Sequence, residues 1–332
     1  MLKEIDLTSL SDRPLRCRVI FNPISGRRAE EPYFNTFVGA LDTAGHQVEV
    51  CRTKAAHDAT RLAAESCDLG LDLICVRGGD GTIHEAANGL TREGPPLLPI
   101  PAGTENILSK YLGIRRSANS LLAAVAAGQT QQIRLSEVNG RKFMLLAGLP
   151  YDGEVVRRLA EARTGNISYK TYVWPTIGTL LGYRGPDIII KVDGEEVYRG
   201  RAQALVGKMP RYALGVKILR QADPADDWLD VAVFPRRWVL PLIWDCLRMW
   251  VSPGWRSRRA AYFKGRLVEI EAVERCPLQV DGEFAGYLPA TFRPTDHVVN
   301  FLGAPGRFEQ TPSIWTRARR ETEVTDSASV TS

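Results

Sequence analysis

Ten residues, Val76-Arg-Gly-Gly-Asp-Gly-Thr-Ile-His-Glu85, restrict what this chain can fold into more than any others. The run before them, Leu71-Asp-Leu-Ile-Cys-Val76, is short and apolar, as a buried parallel strand requires. Ile83 to Leu90 reads as the opening of a helix. A strand passing through a glycine turn into a helix is a backbone anion site. Glycine lets a phosphate approach the main chain, the first helical N–H groups point at it, and the helix dipole favours negative charge. Asp80 is a carboxylate in the middle of that turn, which suits a bridging metal ion or the removal of a proton. Gly-Gly-Asp-Gly is also an ordinary loop composition, so the flanking chain has to decide.

The flanks repeat the pattern. Leu15 to Phe21 reads as a first strand ending in Asn22-Pro-Ile-Ser-Gly26, a turn of small hydrogen-bonding residues. Glu31 to Ala44 is an amphipathic helix carrying Phe34, Phe37, Val38 and Leu41 at helical spacing, and Gly45 stops it. Gln47 to Arg52 is a second strand that delivers Thr53-Lys54, and Ala55 to Ser66 is a second helix. Leu97 to Ile100 is a fourth strand, ending in Pro101-Ala-Gly-Thr-Glu-Asn106 before a helix over Ile107 to Leu112. Leu121 to Ala127 is helical and closes at Gly128. Alternating strand and helix is the pattern of a doubly wound parallel sheet, which binds ligands outside the carboxyl ends of its strands. Asn22–Gly26, Thr53 and Gly78–Thr82 all fall on that edge.

From Gln131 the texture changes to closely spaced strands: Gln132–Val138, Lys142–Ala147, Asp187–Val192, Ala202–Val206, Val231–Phe234, Leu267–Ala272 and Leu278–Val280. The turn pairs Asn139-Gly140, Asp193-Gly194 and Asp281-Gly282 punctuate them. A second, mainly antiparallel β domain is expected, with helical inserts around Gly153–Arg163 and Val239–Val251. A loose leader over 1–14 and a polar tail over 309–332 without fixed structure complete the expectation.

At 332 residues the chain calls for two domains, and 44% hydrophobic with 24% charged residues is a globular composition. A net charge of +5 suits a phosphate-bearing partner or an anionic membrane face without demanding one. The six cysteines show no metal or redox spacing, so reduced thiols in a cytoplasmic setting are expected. No stretch reaches the length of an uncharged membrane span.

Four elements in order, Asn22-Pro-x-Ser-Gly26, Gly78-Gly-Asp-Gly-Thr82, Pro101-x-Gly-Thr-x-Asn106 and Asp281-Gly-Glu283, resemble the diacylglycerol kinase catalytic-domain family. That family includes bacterial lipid kinases and the sphingosine and ceramide kinases, with NAD kinases as distant relatives. Leu146-Ala-Gly-Leu-Pro-Tyr-Asp-Gly-Glu-Val155 and Arg211–Val231 look like further family segments. The resemblance runs from about Arg16 to Gly303. No Gly-x4-Gly-Lys-Ser/Thr phosphate loop is present.

The resemblance implies an α/β N-terminal doubly wound domain over 15–133, completed by about 290–308, and a mainly antiparallel β-sandwich domain over 134–289. The active site would lie in the interdomain cleft. ATP and Mg²⁺ would be the cofactors, and the γ-phosphate would pass to a lipid hydroxyl, that of diacylglycerol or a related lipid alcohol. Motif matching assigns the nucleotide to Asn22, Pro23, Ser25 and Gly26, to Thr53, to Gly78, Gly79, Asp80, Gly81 and Thr82, and to Gly103, Thr104 and Asn106. Glu283 would take the proton of the lipid hydroxyl. Asp281 is the alternative within the motif, and Asp80 would work with it through metal or water. A structural magnesium would take Asp226 with the carbonyls of Asp223 and Trp228.

Several positions depart from the family pattern: Ile107 for an aspartate, His84 for an asparagine, Asp227 for a glycine, and Gly207-Lys208 for an Asn-Gly pair. Ile107 motivates a rival reading, a catalytically weak nucleotide- or lipid-binding regulatory protein. A sphingoid-base or NAD kinase is a third. The segment Arg236–Trp250 with Trp255–Arg259 holds four of seven tryptophans beside arginines. It suits either a peripheral contact with the anionic inner membrane face or a helix covering the β domain. No nucleic-acid module is recognisable, and a homodimer stays open.

Overall fold

The computed structural model describes residues 13–26, 32–162, 183–212, 215–235, 244–245, 247–249, 251–252, 257 and 260–307. The expected leader, apart from Arg13 and Pro14, the tail from 309 and most of the tryptophan-arginine segment lie outside these residues. Two compact units are formed, one by the chain up to Ile133 with the stretch from His297, the other by Arg134–Asp296.

In the first unit β1 (Arg16–Phe21), α1 (Pro32–Thr43), β2 (Gln47–Arg52), α2 (Asp58–Asp68), β3 (Leu73–Gly78), α3 (Asp80–Asn88), β4 (Leu97–Pro101), α4 (Ile107–Tyr111) and α5 (Ala118–Ala127) follow one another. The strands pair in parallel in the order β2–β1–β3–β4. β3 and β4 are buried along their whole length, which is why they read as unbroken apolar runs rather than alternations. From β1 the chain winds outward to β2 and then crosses back to β3. Right-handed crossovers therefore put α1 and α2 on opposite faces. The winding reverses between β1 and β3, the point where such sheets bind ligands.

Packing follows from the same residues. α1 buries Phe34, Phe37 and Leu41, and the ring of Phe34 lies 5.3 Å from that of Phe21. The fully buried guanidinium of Arg77 stacks over both, 4.6 Å from Phe21 and 5.5 Å from Phe34. α2 begins at Asp58 instead of Ala55 because the Asp58 carboxylate accepts the N–H groups of Lys54 (2.7 Å) and Ala55 (3.1 Å), turning the chain first. α2 and α3 are tied by Thr60 Oγ1 donating to Glu85 O at 2.6 Å and by Ala59 N donating to Glu85 Oε1 at 3.0 Å. A Cβ on Gly89 would stand 2.1 Å from Thr60 O, so this approach requires glycine.

The second unit takes β5 (Thr130–Val138), which begins in the first, then β6 (Arg141–Phe143), β7 (Leu146–Leu149), α6 (Tyr151–Ala162), β8 (Asp187–Val192), β9 (Glu195–Gly207) and β10 (Leu229–Pro235). β11 (Ala261–Gly265), β12 (Val268–Ala272), β13 (Pro277–Val280), β14 (Glu283–Tyr287) and β15 (Ala290–Leu302) complete it. The end of β15 returns to the first unit, where Phe301 lies beside Leu97 of β4. β9 serves both layers of a sandwich. Its first half pairs with β8, and beyond Gly200 it pairs with β7 and β10. Inward residues of both layers, among them Ile188, Ile190, Val206, Val231, Leu278 and Phe292, form the core. The layer of β7, β9 and β10 is covered on its other face by Tyr151, Ile218 and Leu219, so these strands are buried on both sides.

The three expected turn pairs all form hairpins with positive φ at both residues: Asn139-Gly140 (49°, 83°), Asp193-Gly194 (50°, 85°) and Asp281-Gly282 (51°, 84°). Strand limits change as well. The single strand over Lys142–Ala147 is two strands, broken at Met144-Leu145. β11, β14 and β15 were not anticipated as strands. Cys17, Cys51, Cys67, Cys75 and Cys276 are free thiols, and burial pushes Cys17 and Cys276 up to about 12. Among the described residues no helix is long and apolar enough to cross a membrane.

Gly89→Ala drives a methyl into the Thr60 carbonyl and is expected to cost about 1–3 kcal/mol. Urea unfolding checks this as a lowered midpoint with an unchanged slope.

Candidate active site

In the first unit three strand-end turns meet. The Asn22–Gly26 turn after β1 is joined to the Gly78–Thr82 turn by Asn22 N donating to Arg77 O at 3.0 Å and Asn22 Nδ2 donating to Thr82 Oγ1 at 2.8 Å. The turn after β4 joins them through Ala102 N donating to Gly78 O at 2.9 Å. Contact is close enough to exclude side chains. A Cβ on Gly103 would lie 2.7 Å from the Cα of Gly79, and one on Gly26 would lie 2.8 Å from Ala102 O. Asn106 closes its own loop, with Oδ1 accepting from Gly103 N (2.9 Å) and Nδ2 donating to Gly103 O (2.8 Å). Pro23 and Ser25 lie in the first turn and Thr104, exposed, in the third. Thr53 N donates to Phe21 O at 2.9 Å, which fixes Thr53 to the same edge.

α3 starts at Asp80, three residues earlier than expected, with Gly79 as its N-cap. Asp80, Gly81 and Thr82 thus form its first turn, where backbone N–H groups have no acceptor within the helix. The Asp80 carboxylate accepts from Ile107 N (2.9 Å) and Leu108 N (3.1 Å), the first N–H groups of α4. Its charge therefore sits between two helix N-termini, where the dipoles favour it. The aspartate-to-isoleucine departure at 107 leaves this clamp intact, because the donor is main chain. His84 spends its ring on α3 itself, 3.2 Å from Asn88 Nδ2.

Two arginines beside these turns were missed by sequence reasoning. Arg77 Nη1 reaches Ser25 O at 3.5 Å, and Arg116 donates to Pro101 O (3.0 Å) and Gly103 O (3.2 Å). Nothing in their spacing separates them from surface arginines. Their partners are carbonyls of turns distant in sequence.

In the second unit the Asp281-Gly282-Glu283 motif divides its work. Asp281 accepts three main-chain N–H groups, from Met144 (2.8 Å), Leu145 (2.9 Å) and Leu146 (3.0 Å), which breaks β6 from β7. The other two turns do the same. Asp193 accepts from Arg266 N and Leu267 N, and Asn139 Oδ1 accepts from Thr291 N. Asp281 is thus one of three turn residues that clasp a third segment. Glu283 is exposed and pairs with Arg141 at 2.6 Å. Such a surface pair is worth about 0–1 kcal/mol and opens readily.

Of the oxygens assigned to a structural magnesium, those of Asp226 and Trp228 are already occupied. Lys208 Nζ lies 2.8 Å from Asp226 O, 2.8 Å from Asp226 Oδ1 and 2.7 Å from Trp228 O. Lys264 Nζ takes Asp226 Oδ2 at 2.8 Å, and Arg134 Nε donates to Asp226 O at 3.0 Å. Asp223 Oδ1 accepts the N–H of Ala225. The set of Asp226, Asp223 and Trp228 does not fit a divalent ion alongside that ammonium. Among the described residues no acidic, histidine or cysteine cluster suited to a metal occurs.

Asp152, at the start of α6, is partly buried, and burial pushes its carboxyl up to about 6 against hydrogen bonds from Tyr212 and Gln203. Glu154, two residues on, is clasped by Arg157 (2.7 Å) and Arg158 (2.6 Å).

Comparison with known proteins gives two matching families. Residues 16–138 match the Diacylglycerol kinase catalytic domain, and residues 147–303 match the YegS C-terminal NAD kinase beta sandwich-like domain. A diacylglycerol kinase of Bacillus subtilis is 28% identical over 288 residues, covering 83% of this chain and 92% of the relative. One of Staphylococcus carnosus is 25% identical over 293 residues, covering 83% and 91%. Two solved chains from Bacillus anthracis share the fold. One has a TM-score of 0.70 at 23% identity. The other, a diacylglycerol kinase, has 0.64 at 21%. Each match spans 87% of this chain and 97% of the solved one.

Gly103→Ala forces the second and third turns apart and is expected to weaken ATP binding at least tenfold, read by calorimetry, with circular dichroism unchanged. The raised Asp152 carboxyl stabilises the fold below its unfolded pKa, near 4, and that contribution is lost as pH rises through about 6. Asp152→Asn is therefore expected to flatten the fall in urea midpoint between pH 4 and 7, and to gain on the parent at pH 8.

Proposed function

The chain belongs to the diacylglycerol kinase catalytic-domain family and is an ATP-dependent lipid kinase; we propose that its acceptor is the free hydroxyl of diacylglycerol or a related lipid alcohol. The observation carrying the nucleotide half is the closure of three turns around the N-terminus of α3 by the Asn22–Thr82 bond and the Gly79–Gly103 approach. Phosphoryl transfer asks mainly for positioning and charge neutralisation, and first-turn N–H groups supply both to phosphate oxygens. Asn22, Ser25 and Thr82 add hydroxyl and amide groups beside them, and Thr53 and Thr104 extend the edge.

The lipid oxygen attacks the γ-phosphorus, its bond to the β-bridging oxygen breaks, ADP leaves, and the lipid proton passes to a carboxylate. Glu283 is that base in our reading. Its exposure and its weak pairing with Arg141 support the role, while Asp281 is committed to three N–H groups. Magnesium bound with the nucleotide would supply charge neutralisation at the phosphate oxygens, and Asp80, beside its clamp on α4, would be the oxygen donor to hold it. The clamp on Asp80 uses the main-chain N–H of Ile107 and so is independent of the side chain at that position.

We further propose peripheral action at the cytoplasmic membrane face. Trp244, Leu247 and Val251 are exposed and recur at helical spacing, with Arg248 stacked 5.2 Å from the Trp244 ring.

The test is transfer of labelled phosphate from ATP to detergent-dispersed diacylglycerol, sphingoid base and other lipid alcohols, with NAD as soluble competitor. Label is expected in diacylglycerol, and label in NAD alone overturns the reading. Glu283→Gln is expected to lower kcat about 10²–10⁴-fold with the ATP dissociation constant unchanged. An undiminished kcat removes the base assignment.

A further inference from the structure

The family resemblance implies a divalent cation at the loop before β10, held by Asp226 with the carbonyls of Asp223 and Trp228. In this chain an ammonium lies there instead. Lys208, the residue after β9, is 1% exposed, and its three donors meet three acceptors: Asp226 O, Asp226 Oδ1 and Trp228 O, at 2.7–2.8 Å. Three N–H donors and three oxygens leave the head group satisfied. Magnesium binds oxygen at about 2.0–2.1 Å, so this cradle is about 0.7 Å wider per ligand than the metal requires and has the size of N–H···O bonds.

Charge points the same way. Asp226 is held by Lys208 on one oxygen and Lys264 on the other. Asp227 pairs with Arg266, whose guanidinium stacks 4.9 Å from the Trp228 ring. Arg134 alongside pairs with Asp296. A divalent ion would add two positive charges within a few ångströms of a buried ammonium.

We propose that Lys208 is a covalently tethered cation that replaces the divalent ion at this site, so that the loop of Asp223–Trp228 is built without metal. Lys208 joins the end of β9 to that loop, Lys264 adds β11, and Arg134 adds β5 through Asp226 O and through its own N–H on Pro224 O at 2.8 Å. Lys208 acts through these carbonyls and touches no substrate. It is a positioning residue. The two departures Gly207-Lys208 and Asp227 become one change: a lysine takes the cation's place, and a second carboxylate binds the arginine beside it. None of this depends on the lipid-kinase reading.

The probe is terbium, which takes magnesium's oxygen ligands and emits when a nearby tryptophan, here Trp228, is excited. The measurement uses the full chain without nucleotide, and counts as signal only emission that magnesium competes away and that Asp226→Asn removes. The parent is expected to show none, and its melting temperature is expected to be the same in magnesium and in EDTA. Lys208→Ala, which takes the ammonium away from the three oxygens, is expected to melt several degrees lower, gain the terbium signal and recover part of the loss in millimolar magnesium. Lys208→Met, similar in volume and uncharged, serves if the alanine variant does not fold. An Asp226-dependent terbium signal in the parent, or a folded neutral variant that takes up no metal, overturns the proposal.

Discussion

Backbone N–H groups left over where an element ends must find acceptors, and burying one without a partner costs about 1–3 kcal/mol. This chain meets that requirement with short acidic and amide side chains reaching across turns. Asp80 takes two N–H groups of α4, Asp281 takes three at the break between β6 and β7, Asp193 takes two ahead of β12, and Asp58 takes two ahead of α2. Hydrogen bonds to a charged acceptor are each worth about 1.5–3 kcal/mol, more than a neutral pair contributes. Among the turns so fixed are the glycine turn at Gly78–Thr82 and the Glu283 hairpin. Rigid placement of those turns is what phosphoryl transfer needs, because its catalysis is mostly placement.

That same physics decides what could be read from the sequence. The glycine turn at 78–82, the β2 limits at 47–52 and the three hairpin pairs were legible because their causes are local: positive φ, apolar runs, small turn residues. The doubly wound first domain followed from alternation. The broken strand at Met144-Leu145 was not legible, since its cause is Asp281, more than a hundred residues away. The start of α2 was misplaced because a single carboxylate reorganised the preceding turn. β15 carries Arg293, Pro294, Thr295 and Asp296 in its middle, and polar residues there conceal a strand that pairs with β12 early and β4 late.

At the candidate site the legible part was the set of turns and the illegible part was what each side chain does in them. Asp80 stood out as a carboxylate among glycines, yet its partners are the N–H groups of a different turn. Asp281 and Glu283 are two residues apart in one motif, and only register separates a clasp from an exposed acid. A strand alternates its faces, but a hairpin turn does not, so spacing could not assign the two roles. Arg77 and Arg116 carry no pattern at all, and burial of Arg77 under two phenylalanine rings becomes visible only in the packed unit.

Lys208 shows how a departure from a pattern can be the more informative reading. Taken singly, a lysine for part of an Asn-Gly pair and an aspartate for a glycine each look like drift. Together they conserve charge: one base enters the cradle, and one acid answers a neighbouring arginine. A buried ammonium without partners would be driven neutral, and burial does pull the Lys208 pKa down while Asp226 pulls it back. Three oxygens placed to hold a cation are the setting in which that cost is offset. The site therefore keeps the electrostatic logic of a metal site with the cation supplied by the chain, and the loop no longer depends on the metal concentration around it.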